Sequence, residues 1–122
     1  MINEFRILVC GGREYNDWGR VRKTLDAALE GARAAGKVVV IIHGNARGAD
    51  LLADQYAREK SLGVIPFPAD WDTHGKRAGF IRNKQMLDEG KPHAVIAFPG
   101  GNGTRMMVGL AKRYNIPTKE YF

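Results

Sequence analysis

At 122 residues the chain has room for one hydrophobic core and is read as a single domain spanning residues 1–122. Hydrophobic residues at 44%, charged residues at 26% and aromatics at 9% exclude a disordered, collagen-like or low-complexity chain, and a lone cysteine, Cys10, excludes a disulfide scaffold and a cysteine-based zinc site. Nineteen Lys and Arg against thirteen Asp and Glu leave a net charge of +6, which favours an anionic partner, nucleotide or nucleic acid, with a merely soluble basic surface as the alternative.

Phe5–Cys10 is a short β-favouring run that stops at Gly11-Gly12. Trp18–Ala35 then carries helical spacing through Val21, Leu25, Ala28 and Leu29, with Asp17 placed to cap it and Gly31 and Gly36 to weaken and end it. Val38–Ile42 is continuously apolar, as a strand covered on both faces is, and ends at His43-Gly44. It is also the longest apolar run, far short of a membrane helix, and Met1-Ile2-Asn3-Glu4 carries no signal-peptide stretch, so a soluble, cytoplasmic protein is expected. Ala49–Leu62 has helical spacing, with Gly63 placed to terminate it. Val64–Phe67 is a strand that Pro66 and Pro68 confine to a sheet edge, and Ala69–Gly79 reads as a polar loop. Phe80–Glu89 is a short helix, Ala94–Phe98 a strand, Pro99–Thr104 a glycine-rich loop, Arg105–Tyr114 a helix and Ile116–Lys119 a final strand.

Five strands alternating with four helices imply an α/β, Rossmann-like doubly wound parallel sheet with helices on both faces. Ligands in such folds bind beyond the carboxyl ends of the strands, where the strand order reverses. All the unusual loops fall on that rim, and with strand order 3-2-1-4-5 the first and last of them lie side by side. Glycines there let backbone approach a ligand, and each loop feeds a helix whose first amides form an anion site. Phosphate is the natural guest. The expected ligand-binding residues are Gly11, Gly12 and Arg13 in the first loop and Gly44, Asn45, Arg47, Gly48 and Asp50 in the second. Trp71, Arg82 and Asn83 follow, then Pro99, Gly100, Gly101, Gly103 and Thr104.

The last loop is neither a dinucleotide fingerprint, since Gly101-Asn102-Gly103 lacks a third glycine, nor a Walker A loop, since no Gly-Lys-Ser or Gly-Lys-Thr occurs. Thr104 is placed to cap the following helix and to offer its hydroxyl to a phosphate. Arginine suits bidentate phosphate recognition, which singles out Arg13, Arg47, Arg82 and Arg105, although Arg47 read blandly points into water. Trp71 and Tyr15 are read either as stacking surfaces for a base or as packing. Asp50 opens a helix, where it either caps amides or holds a ribose hydroxyl. Arg82, Glu14, Asp50 and Asp70 are the candidate catalytic residues, with no acid and base pair evident in their spacing. His43, His74 and His93 are scattered without ligand spacing, so no metal and no cofactor are expected, and Cys10 reads as a core residue.

Taken in order, Gly11-Gly12-Arg13, His43-Gly44-Asn45-Ala46-Arg47-Gly48-Ala49-Asp50, Ala69-Asp70-Trp71, Arg82-Asn83-Lys84-Gln85-Met86 and Phe98-Pro99-Gly100-Gly101-Asn102-Gly103-Thr104 resemble the SLOG superfamily. This is the Rossmann-like group of the DprA/Smf proteins and the Lonely Guy phosphoribohydrolases. The likeness covers nearly the whole chain and is closest to the small single-domain bacterial and phage branch related to YspA and YpsA. It implies binding of a nucleotide or nucleotide-derived ligand, often in a homo-oligomer, in nucleotide signalling or processing and in phage-defence settings. The alternatives it offers are nucleotide N-glycosidic cleavage and a DprA-like nucleic-acid-binding module. Arg82 matches the phosphoribohydrolase arginine, but the family's glutamate falls on Met107, so cleavage would need another carboxylate.

Overall fold

The computed structural model describes residues 3–122. Its five strands are β1 (Glu4–Cys10), β2 (Val38–His43), β3 (Gly63–Pro66), β4 (Ala94–Ala97) and β5 (Thr118–Glu120). They form one sheet in the order β3-β2-β1-β4-β5, with every pairing parallel. The helices are α1 (Trp18–Ala34), α2 (Ala49–Glu59), α3 (Trp71–His74), α4 (Ala78–Gly90) and α5 (Asn102–Arg113), with a 3-10 turn at Gly75–Arg77. This is the α/β, Rossmann-like architecture that the strand and helix alternation predicts. No helix among the described residues is long and apolar enough to cross a membrane.

Side chains alternate across a strand, so β1 and β2 fill two cores, and Ile7–Cys10 and Val38–Ile42 read as continuous apolar runs. Ile7, Val9, Val39 and Ile41 pack under α1 and α2 with Val21, Leu25 and Tyr56. Leu8, Cys10 and Ile42 face the opposite way and pack under α4 and α5 with Met86, Leu87, Met107 and Val108. β3 is an edge strand, where Pro66 leaves no central ladder bond unmade. Asp17 caps α1 by accepting from the Arg20 amide at 3.0 Å. Gly36, at φ +73°, provides the left-handed residue that ends it, with Lys37 N donating to Ala32 O at 2.9 Å.

Four segments differ from the sequence reading. Helix α2 stops at Glu59 because Ser61 takes the left-handed conformation at φ +56° and Leu62 N donates back to Ala57 O at 2.8 Å; Gly63 is already the first residue of β3. The expected loop 69–79 instead holds α3, the 3-10 turn and the first residues of α4, and Asp70 caps α3 by accepting from Thr73 N at 3.1 Å. Helix α5 begins at Asn102, inside the glycine-rich segment, so its cap residue is Gly101 and Thr104 lies within the first turn. The last strand is displaced to Thr118–Glu120.

The order reversal falls between β1 and β4. Phe98 N donates to Cys10 O and Gly12 N to Pro99 O, both at 2.9 Å, so the first and last rim loops are bonded side by side. Beyond that bond the chain leaves β1 towards one face of the sheet and β4 towards the other. A crevice opens between them.

Candidate functional site

The crevice is a cleft of about 410 Å³. Cys10, Met86 and Met107 lie along its base, Gly101, Gly103 and Thr104 from the start of α5 form one side, and Asp50, Arg82 and Asn83 form another. A second hollow, of about 370 Å³, adjoins it over the β2–α2 loop and shares Arg13, Ala46, Trp71 and Arg82 with it.

The β2–α2 loop is held from below. His43 is fully buried, and its Nδ1 accepts the Asn45 amide at 2.9 Å, which leaves the ring proton on Nε2 to donate to Asp54 Oδ1 at 2.8 Å. Arg58 Nε donates to the other Asp54 oxygen at 2.6 Å, and this bond, then the one from His43, holds the Asp54 carboxyl below its ordinary range. One turn earlier on α2, buried Asp50 accepts from Gly44 N at 3.0 Å and Ala46 N at 3.3 Å through Oδ2. It therefore braces the loop before its helix and does not cap the helix. Burial pushes the Asp50 carboxyl up, against the pull of the Ala46 amide, Arg82, His43 and the Gly44 amide. Among the described residues nothing donates to Oδ1, and Asp50 lines the cleft. The loop also has to pass close to β1. Gly48 sits at φ +82°, and a Cβ there would collide with the Gly12 carbonyl oxygen.

Arg82 and Asn83, on α4, tie two rim segments together. Arg82 Nη1 donates to Gly44 O, its Nε donates to Asn83 Oδ1 at 3.0 Å, and Asn83 Nδ2 donates to Gly103 O at 3.4 Å. Burial lowers the pKa of Arg82, and the like charge of Arg13 lowers it further against the opposing pull of Asp50. Arg13 itself lies over the Trp71 ring at 5.6 Å, and Trp71 is half exposed at 49%. No side chain caps α5, and a Cβ added at Gly101 or Gly103 would meet nothing within 4 Å. The start of α5 thus leaves its first amides without a side-chain cap, and it lines the same hollow as the guanidiniums of Arg13 and Arg82.

The structure gathers Gly11, Gly12, Arg13, Asp50, Trp71, Arg82, Asn83, Gly101, Gly103 and Thr104 around the first hollow. Gly44, Asn45 and Arg47 line the second. Pro99 and Gly100 lie against a different depression, on the β5 side of the loop, where Gly100 is packed against Gly12 and Thr104. Gly48 lines neither hollow. Among the candidate carboxylates, Glu14 is exposed and paired with Arg47 at 2.6 Å, and Asp70 is used as the α3 cap. Tyr15 is packing: its ring stacks on Phe98 at 5.2 Å against the α1–α2 core. Trp71 stands at the cleft mouth, not against the sheet. Burial pushes the Cys10 thiol up to about 12, so it presents no thiolate. Among the described residues no group of His, Cys, Asp or Glu is placed to hold a metal ion. Sequence reasoning missed the pairing of His43 with Asp54. Its signal was the i, i+4 spacing of Asp50 and Asp54, which puts both carboxylates on the face of α2 that meets the loop.

The model of the YspA, cpYpsA-related SLOG family (YAcAr) matches residues 5–74. The Gene 61 protein of Mycobacterium phage D29 is 38% identical over 120 residues, covering 92% of each chain. Two structures of the C-terminal domain of the PF1911 hydrogenase from Pyrococcus furiosus are similar in fold. One has a TM-score of 0.59 at 14% identity over 100% of this chain and 95% of that one. The other has a TM-score of 0.56 at 16% identity, over 99% and 95%.

Proposed function

The chain belongs to the YspA, cpYpsA-related SLOG family, whose membership points to nucleotide-related binding, and we propose that it binds a nucleotide or nucleotide-derived ligand in the cleft at the strand-order reversal. The observation that carries the reading is the convergence of the uncapped start of α5 with Arg13 and Arg82 on one hollow. The phosphate sits on the α5 amides, where both the helix dipole and the two guanidiniums favour negative charge. Trp71 offers its exposed ring to the base. Asp50 Oδ1 accepts from a ribose hydroxyl, because a carboxylate beside a phosphate site must face a donor.

Titration calorimetry with nucleoside 5′-monophosphates tests this. The Arg13 guanidinium lies over Trp71 and makes no hydrogen bond or ion pair among the described residues, so Arg13→Ala is expected to keep the fold and to weaken binding by about tenfold or more. Unchanged affinity in that variant overturns the assignment.

A second reading, nucleotide N-glycosidic cleavage, is favoured by one observation. Asp50 is the sole carboxylate lining the cleft among the described residues, with Oδ1 unpartnered, while Met107 fills the position of the phosphoribohydrolase glutamate. Release of free base from a monophosphate, abolished in Asp50→Asn, is the expected result. Absence of release from every monophosphate rejects cleavage and leaves the binding reading standing.

A further inference from the structure

A monophosphate bound as above occupies the first hollow and leaves the chemistry of the second unused. That second hollow is lined by Arg13, Arg47 and Arg82 and by no carboxylate among the described residues. Asn45 lines it too, and its side-chain amide makes no hydrogen bond among the described residues. Arg47 is paired with Glu14, but the two side chains are 68% and 86% exposed, and such water-exposed pairs are weak and readily exchanged for a phosphate. The like charge of Arg13 acts on Arg82, and Asp50, the carboxylate that opposes it there, lines the first hollow only. The two hollows adjoin at Arg13, Ala46, Trp71 and Arg82, which line both.

We infer that the second hollow is an anion subsite, so that the ligand is a nucleotide with a second anionic group beyond its 5′-phosphate, held by Arg47 and Asn45 while Arg13 and Arg82 bridge the two. The inference rests on the nucleotide reading and narrows its ligand class. Two chemical sources of the second charge are compared: a further phosphate on the ribose, and a diphosphate link to a second nucleoside.

Calorimetry at physiological ionic strength separates them. The probes are the four nucleoside 5′-monophosphates and, for the same bases, the 3′,5′-bisphosphates and the symmetrical dinucleoside diphosphates. A two-anion ligand is expected to bind about tenfold tighter than the monophosphate of its base, and whichever series shows the gain identifies the source. Arg47→Ala, an exposed change, is expected to remove most of that gain and to leave monophosphate affinity within about twofold. Monophosphate binding with no gain from a second anion overturns the subsite and leaves the nucleotide reading intact. A gain that survives in Arg47→Ala also overturns it. Failure of every nucleotide to bind removes the reading and the subsite together.

Discussion

At the scale of single residues, the rim depends on a buried histidine whose two ring nitrogens are both hydrogen-bonded. His43 Nδ1 accepts the Asn45 amide, so a second ring proton there would break that bond, and the Nε2 proton is committed to Asp54. Asp54 in turn carries the acid dependence of the site. Its carboxyl is held below the ordinary range by the Arg58 hydrogen bond and then by His43, so the unfolded chain takes up the Asp54 proton first as the pH falls. The stabilisation is therefore complete above about pH 4 and is lost as pH falls through the lower folded value. Asp54→Asn is expected to lower stability at pH 7 by about 0.5 to 1.5 kcal/mol in urea unfolding, with the gap to the parent protein closing towards pH 3. A gap that stays constant over that range would show that Asp54 acts through packing alone. Asp50, one turn away, shifts in the opposite direction because burial dominates there, and its protonation on acidification opposes the loss from Asp54.

At the scale of elements, two glycines at the starts of helices on opposite faces of the sheet have opposite reasons to be glycine. Gly48, before α2, is at φ +82° with its missing Cβ aimed at the Gly12 carbonyl oxygen, so Gly48→Ala is expected to cost about 2 kcal/mol or more in chemical denaturation. Gly103 lies in the first turn of α5, where an added Cβ meets nothing within 4 Å and helix propensity favours alanine. Gly103→Ala is expected to keep or raise stability by up to about 1 kcal/mol while weakening nucleotide binding, since its methyl group stands in the cleft. A stable variant with parental affinity would place the phosphate elsewhere. These positions also show what a sequence displays at this scale. β2 and the second half of β1 were legible because burial on both faces writes a continuous apolar run. The end of α2 was not, because Ser61, a residue with no special tolerance for φ +56°, does the work that a nearby Gly63 advertises. Helix α3 has four residues, too few for a period of 3.6 to be visible, and α5 starts among glycines that read as loop.

At the scale of the whole molecule, strand and helix alternation made the parallel sheet and its binding rim legible, and an assumed order of 3-2-1-4-5 placed the first and last rim loops together. What the alternation does not encode is which side of a loop faces the cleft. Pro99 and Gly100 are adjacent to Gly101 in sequence yet turn to the β5 side, and Glu14 is adjacent to Arg13 yet points into water, because a sharp turn at the crevice sends successive residues to different surfaces. The +6 charge raises the same question of place. In a parallel α/β sheet the helices run back from the rim, so the last turns of α1 and α5, with exposed Arg33 and Arg113, lie at the far end. At 1.5 Å per residue, the 12 residues of α5 put Arg113 about 16 Å from the α5 amides, roughly twice the screening length of about 8 Å at physiological salt. If nucleotide affinity comes from the overall positive field, removing two such charges weakens it. If it comes from the arginines lining the cleft, it does not. The double variant Arg33→Gln with Arg113→Gln is accordingly expected to keep its dissociation constant for the tightest monophosphate within about twofold of the parent at 0.15 M ionic strength. A larger loss in calorimetry would make the general charge of the molecule, and not its cleft, the source of its attraction for anions.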